Sequence, residues 1–172
     1  KMATLLEQDP LSWLYWFIRC GVTLKASQCE ILVGRNALVA RLGLDSGEQL
    51  LQNFLEGAED PEGSLPLRYL RSALLWSQAW LGVQADFAAH LLLERPGQPH
   101  SALLVESARV TRQSEERLGQ ALGLTLALVP ASQHSHQELF FALRRLLREE
   151  LPAKVAFCPM PVLLDGQRID AH

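Results

Sequence analysis

Cysteine is scarce. Cys20, Cys29 and Cys158 are the only three in 172 residues. They are odd in number, far apart and without a CxxC or metal-ligand spacing, which argues against a disulfide framework and for reduced thiols in a cytoplasmic protein. Long apolar runs are missing too: none reaches the ~20 residues of a membrane-spanning helix, and no signal peptide opens the chain. Charge of either sign is modest, with a net of -3 at pH 7. That leaves no basic footprint for nucleic acid or an anionic membrane. Also absent are the nucleophile elbow, the phosphate loop, HExxH, paired cysteines and the dinucleotide fingerprint, so no catalytic residue and no metal ligand is assigned. His134 and His136 are the nearest approach to a metal cluster, but they flank Ser135 and are expected to diverge. His90, in an apolar strand, reads as a core or edge histidine.

What the chain does have is an apolar centre. Asp9 to Ala26 (DPLSWLYWFIRCGVTLKA) opens with Pro10 and with Ser12 as N-cap, and is loosened and ended by Gly21 and Ser27. Leu14, Phe17, Ile18 and Gly21 share one helical stripe, expected to bury against a sheet. Trp13, Trp16, Cys20 and Thr23 form a second stripe beside it, so the helix needs cover on both flanks.

The remaining segments read in order. Gln28 to Val33 and Ala37 to Leu42 form a hairpin across Gly34-Arg35-Asn36. Glu48 to Glu56 has helical spacing, and Gly57 to Ser64 is an acidic, turn-rich loop. Leu65 to Leu81 predicts a second strong helix, with Leu67, Leu70, Leu74 and Leu75 inward and Gly82 closing it. Gln84 to Glu94 and Ser101 to Arg112 alternate as strands. Gln113 to Ala121 is polar, either strand extension or short helix, and Gly123 to Val129 is a strand. Ser135 to Glu138 reads as a capping box for a helix to about Glu150 with Leu139, Leu143, Leu146 and Leu147 inward, stopped at Leu151-Pro152. Arg144, Arg145 and Arg148 read as its solvated face. Asp165-Gly166 marks a late hairpin turn. Helices and antiparallel hairpins in blocks indicate α+β: a two-layer α/β sandwich with helices on one face of a mixed, mostly antiparallel sheet. The expected division is residues 1–152 as the sandwich and 153–172 as a strand-and-turn tail leading into a following domain. Lys1 before Met2, and an ending within LLDGQRIDAH, suit a domain taken from a longer protein.

The order of first helix, hairpin (EILVGRNALVARL) and glycine-containing loop from Leu42 to Gly47 resembles the nucleotide-binding domain of GHKL ATPases, the family of gyrase, Hsp90-type chaperones, histidine kinases and MutL. Gly123-Leu124-Thr125-Leu126 is similar to the family's G-T strand, and Phe157 to Val162 to the junction where chaperone-type members leave the ATPase domain. The resemblance implies a helices-on-one-face sandwich and a pocket around Trp16, Cys20, Thr23, Leu42, Asp45, Gly47 and Thr125. Trp16 falls on the family's glutamate position, Cys20 on its asparagine and Thr23 on its helix-end aspartate. Trp16 accepts no proton and Cys20 is a poor ligand for a hard, oxygen-seeking cation. The expectation is therefore a degenerate GHKL-like domain without cofactor, serving as an interaction or structural module. Its partner would be another protein or neighbouring domains of the same chain, with a homodimer open. The alternatives are an ATP- and Mg-binding relative with an unorthodox pocket, and an unrelated α+β adaptor. Trp16 is expected to fill the space that a nucleotide occupies in the family, the alternative being that it sits in an interface with a neighbouring domain or a second copy of the chain.

Overall fold

A computed structural model describes residues 9–60, 62–84 and 86–170. The elements are α1 (Ser12–Thr23), β1 (Gln28–Val33), β2 (Leu38–Gly43), α2 (Glu48–Leu55), α3 (Leu65–Val83), β3 (Phe87–Glu94), β4 (Pro99–Val105), β5 (Val110–Leu118), β6 (Gly123–Pro130), α4 (Gln137–Lys154), β7 (Val162–Leu164) and β8 (Gln167–Arg168). The strands form one open sheet in the order β5-β4-β3-β6-β2-β1-β7-β8. Every neighbouring pair is antiparallel except β1 with β7.

The period-two pattern explains how this sheet is covered. The register aligns Leu103, Leu91, Leu126, Ala40, Ile31 and Leu164 in one row across six strands. All six are buried. One residue along each strand, the row Leu104, His90, Ala127, Val39 and Leu32 lies on the other face, half-buried or exposed. Alternation has thus assigned one face to the helices and left the other uncovered by them.

All four helices sit on the buried face. Trp80 of α3 and Phe140 of α4 pack on Phe87 of β3, with ring centroids 5.9 and 5.7 Å apart. Ser101 of β4 donates to the Gln52 side chain of α2 at 2.9 Å. Gly21 sets α1 directly on β2: a Cβ there would lie 2.5 Å from the Leu42 Cδ2 and 3.2 Å from the Met160 Cε. The fold is the expected α+β two-layer sandwich, and α1 and α3 lie side by side in it. Among the described residues no helix is long and apolar enough to cross a membrane.

Several local expectations are corrected. Ser12 is the first helical residue, and its hydroxyl donates to Asp9 while Leu11 takes the N-cap position. Gly82 lies inside α3, which continues to Val83, and Leu75 is 64 % exposed and so outside the buried stripe. The predicted strand from Ser101 to Arg112 is two strands that meet at a turn, where the Glu106 N–H donates to the Arg109 carbonyl. The polar stretch Gln113 to Ala121 is largely β5, an edge strand exposed along its whole length. Its arginines and glutamates, with the register shift at Pro99/His100, protect that edge from further pairing. Ser135 caps nothing: the N-cap of α4 is His136.

Pro152 does not stop α4, which runs to Lys154. A proline in the last turn forfeits a single backbone bond there. The expected boundary at 152/153 therefore falls within a helix, and the tail beyond belongs to the same sheet. β7 pairs in parallel with β1, and Asp165 and Gly166 turn the chain with φ of 49° and 82°. Two positive φ values suit the tight hairpin turn read from the sequence.

Candidate functional site

The pocket implied by the sequence centres on α1, which lies beside α3. Trp16 is half-buried on α1, its ring 5.6 Å from that of Tyr69 on α3, with the Arg19 guanidinium 4.7 Å from its ring centroid. The aromatic contact links the two helices, and Arg19 adds a cation–π contact within α1. Elsewhere between the two helices and the sheet, Trp13, Ser77, Trp80, Ala89, Leu126 and Leu128 close a seam with no room for a water molecule.

Cys20 is fully buried, and burial pushes its thiol up to about 12, so it stays neutral and offers no thiolate. The Thr23 hydroxyl turns back on its own helix and donates to the Cys20 carbonyl at 2.8 Å. Leu42 is buried under Gly21. Asp45 is exposed in the loop after β2, and Gly47, with φ of 91°, starts α2 beneath Leu24.

Thr125 does not join these residues. It stands in register with Arg41 and Leu92, on the sheet face away from the helices. Its neighbours Leu124 and Leu126 are buried on the helix side, and one residue along a strand is enough to move a side chain to the opposite face. Trp16, Cys20, Thr23 and Leu42 thus gather on the α1 side, with Asp45 and Gly47 in the following loop.

Polar clusters lie elsewhere. Asp86, before β3, accepts from the Ser132 hydroxyl at 2.9 Å and faces the His136 Nε2 at 2.5 Å. Those two hydrogen bonds hold the Asp86 carboxyl below the usual carboxylate range. His136 also stacks on Phe87, 4.5 Å away, and so anchors the start of α4 to β3 instead of turning toward His134. Among the described residues no group of three or more His, Cys, Asp and Glu side chains is placed to hold a metal ion.

Open space lies at both ends of α4. A cavity of about 510 Å³ is lined by Gly34, Arg35, Gln137, Glu138, Phe141 and Arg144 among others. A second, of about 360 Å³, runs between Tyr15, Ile18, Arg19 and Val22 of α1 and the segment from Ala153 to Pro159. Burial, with Glu150 and Asp9 as lesser causes, pushes the Tyr15 hydroxyl up to about 12. Several residues lining these spaces, among them Tyr15, Arg19, Val22, Phe140 and Phe141, were not singled out from the sequence. The signal for Phe141 was there: with Phe140, Leu143 and Leu147 inward, helical spacing turns Phe141 outward.

No protein-family model and no curated protein matches the chain.

Proposed function

We propose that the chain is a degenerate GHKL-like domain that has lost ATPase chemistry and acts as a non-catalytic interaction or structural module of a larger cytoplasmic protein. The observation that carries this reading is the closed seam between α1 and α3. In support of it, Trp16, at the position that the resemblance gives to the family's glutamate, packs against Tyr69, and the α1–α3 seam lined by Trp13 and Trp80 leaves no room for a water molecule. A nucleotide needs a cleft of roughly 300 Å³ or more. The α1 side chains add no carboxylate to activate water and no amide oxygen for Mg²⁺. The residues present therefore do not fit Mg-ATP, and no catalytic step is derived through it.

The resemblance supplies the family name, and the helices-on-one-face layout is consistent with it. Calorimetric titration with Mg-ATP tests the reading. No heat of binding is expected. A dissociation constant below about 100 μM, worth roughly 5.5 kcal/mol, contradicts it.

A further inference from the structure

We propose that the outer stripe of α4, with the β1–β2 turn, docks an acidic amphipathic helical segment of a partner protein. This deepens the reading of the chain as an interaction module, and rests on it. The anchor is Phe141, 68 % exposed on a helix whose Leu139, Phe140, Leu143, Leu147 and Leu151 are all buried. An aromatic ring standing in water between two hollows is the composition of an interface anchor. The cavity of about 510 Å³ lies on one side of it, and a further one of about 330 Å³, lined by Ala142, Arg145, Leu146 and Glu149, lies on the other. Apolar side chains at i and i+3 or i+4 of a docked helix would enter the two hollows astride Phe141.

Charge selects the partner. Arg144 is already committed, donating to the Val33 carbonyl and pairing with Asp165 at 3.2 Å. Arg145 pairs with Glu149 at 3.4 Å. Arg35, at the rim of the larger hollow, and Arg148, two turns along the stripe from Phe141, are exposed and make no ion pair among the described residues. Two free guanidinium groups bracket the aromatic anchor on a chain whose net charge is -3. They suit spaced carboxylates on the partner. Glu138 and Glu149 on the same face disfavour a uniformly charged polyanion.

The test uses the full chain and a fluorescein-labelled helical peptide of about 14 residues, four turns, with Leu and Phe on one stripe and Glu on the other. A counterpart with Lys in place of Glu is the control. Anisotropy should give a dissociation constant of about 10 μM for the Glu peptide at ~0.1 M salt, weakening as salt is raised, and at least about tenfold weaker binding for the Lys peptide. Phe141→Ala should weaken binding about tenfold with the melting temperature unchanged, since the ring is mostly in water. Arg35→Glu and Arg148→Glu should each weaken it severalfold and flatten the salt dependence. No binding of the Glu peptide at about 1 mM overturns the proposal. So does binding that ignores Phe141→Ala and both charge reversals, or light scattering that shows the chain dimerising through this face. Mg-ATP binding would overturn the module reading alone, whereas a silent peptide with no ATP binding overturns only the docking surface.

Discussion

Replacing Gly21 by alanine tests how closely α1 is seated on the sheet. On helix propensity alone, alanine at an interior helical position stabilises by about 1 kcal/mol over glycine. At Gly21 the added methyl would lie 2.5 Å from the Leu42 Cδ2 and 3.2 Å from the Met160 Cε and Sδ. Met160 is flexible at that end and yields, whereas Leu42 is fully buried, so any shift of it must displace packed neighbours. Overpacking of this kind costs about 1–3 kcal/mol, so the net expectation is a loss of about 1 kcal/mol. Gly82→Ala is the control: Gly82 is also helical, and among the described residues nothing outside its chain neighbours and its own helix backbone comes within 4 Å of the added methyl. It should gain about 0.5–1 kcal/mol. In a domain of this size each kcal/mol moves the melting temperature by about 2–4 °C, so the two variants should shift in opposite directions, checked by urea midpoints. A Gly21→Ala protein as stabilised as Gly82→Ala would refute the close seating of α1 on β2.

Two further outcomes follow from the same contacts. Trp16→Ala removes a half-buried ring that touches Tyr69 and Arg19, and should cost about 1–3 kcal/mol in urea denaturation; an unchanged midpoint would place Trp16 outside the fold's energetics. Asp170 is buried and accepts from the Val162 N–H at 3.0 Å and from Arg168, which holds its carboxyl down from 3.8 to about 2. A depressed folded-state value means that its contribution is fully present above about pH 4 and is lost as pH falls toward 2. Asp170→Asn should therefore lower stability at neutral pH and flatten its loss over that acid range, and an acid limb identical to the parent's would reject this assignment.

Much of the fold was legible in the sequence because one face of the sheet is buried and the other is not. Leu38, Ala40 and Leu42, or Leu91 and Leu93, alternate with half-buried residues, and that pattern fixes both strand and register. Edge strands carry no such signal. β5 is exposed on all nine residues, so nothing in VTRQSEERL separates strand from helix. Helix ends were misread for a related reason: Ser12, Ser135 and Pro152 have the chemistry of caps and stops, but tertiary partners placed the ends elsewhere. His136, held by Asp86 and Phe87, is the clearest case. In the candidate site, helical spacing was enough to gather Trp16, Cys20 and Thr23 on α1, whereas Thr125 needed a register known to one residue. Tyr69, the other half of the Trp16 stack, could not be paired with it from sequence because the contact spans two helices 53 positions apart.

The account turns on whether the seam between α1 and α3 admits a nucleotide, and ligand-linked melting measures this most directly. At about 5 mM Mg-ATP, a site with a dissociation constant of ~50 μM would stabilise the fold by about 2.7 kcal/mol and raise the melting temperature by roughly 5–10 °C. The closed seam predicts a shift under about 1 °C, the same as with Mg²⁺ and an equivalent concentration of inorganic phosphate. A rise of several degrees specific to the nucleotide would contradict it.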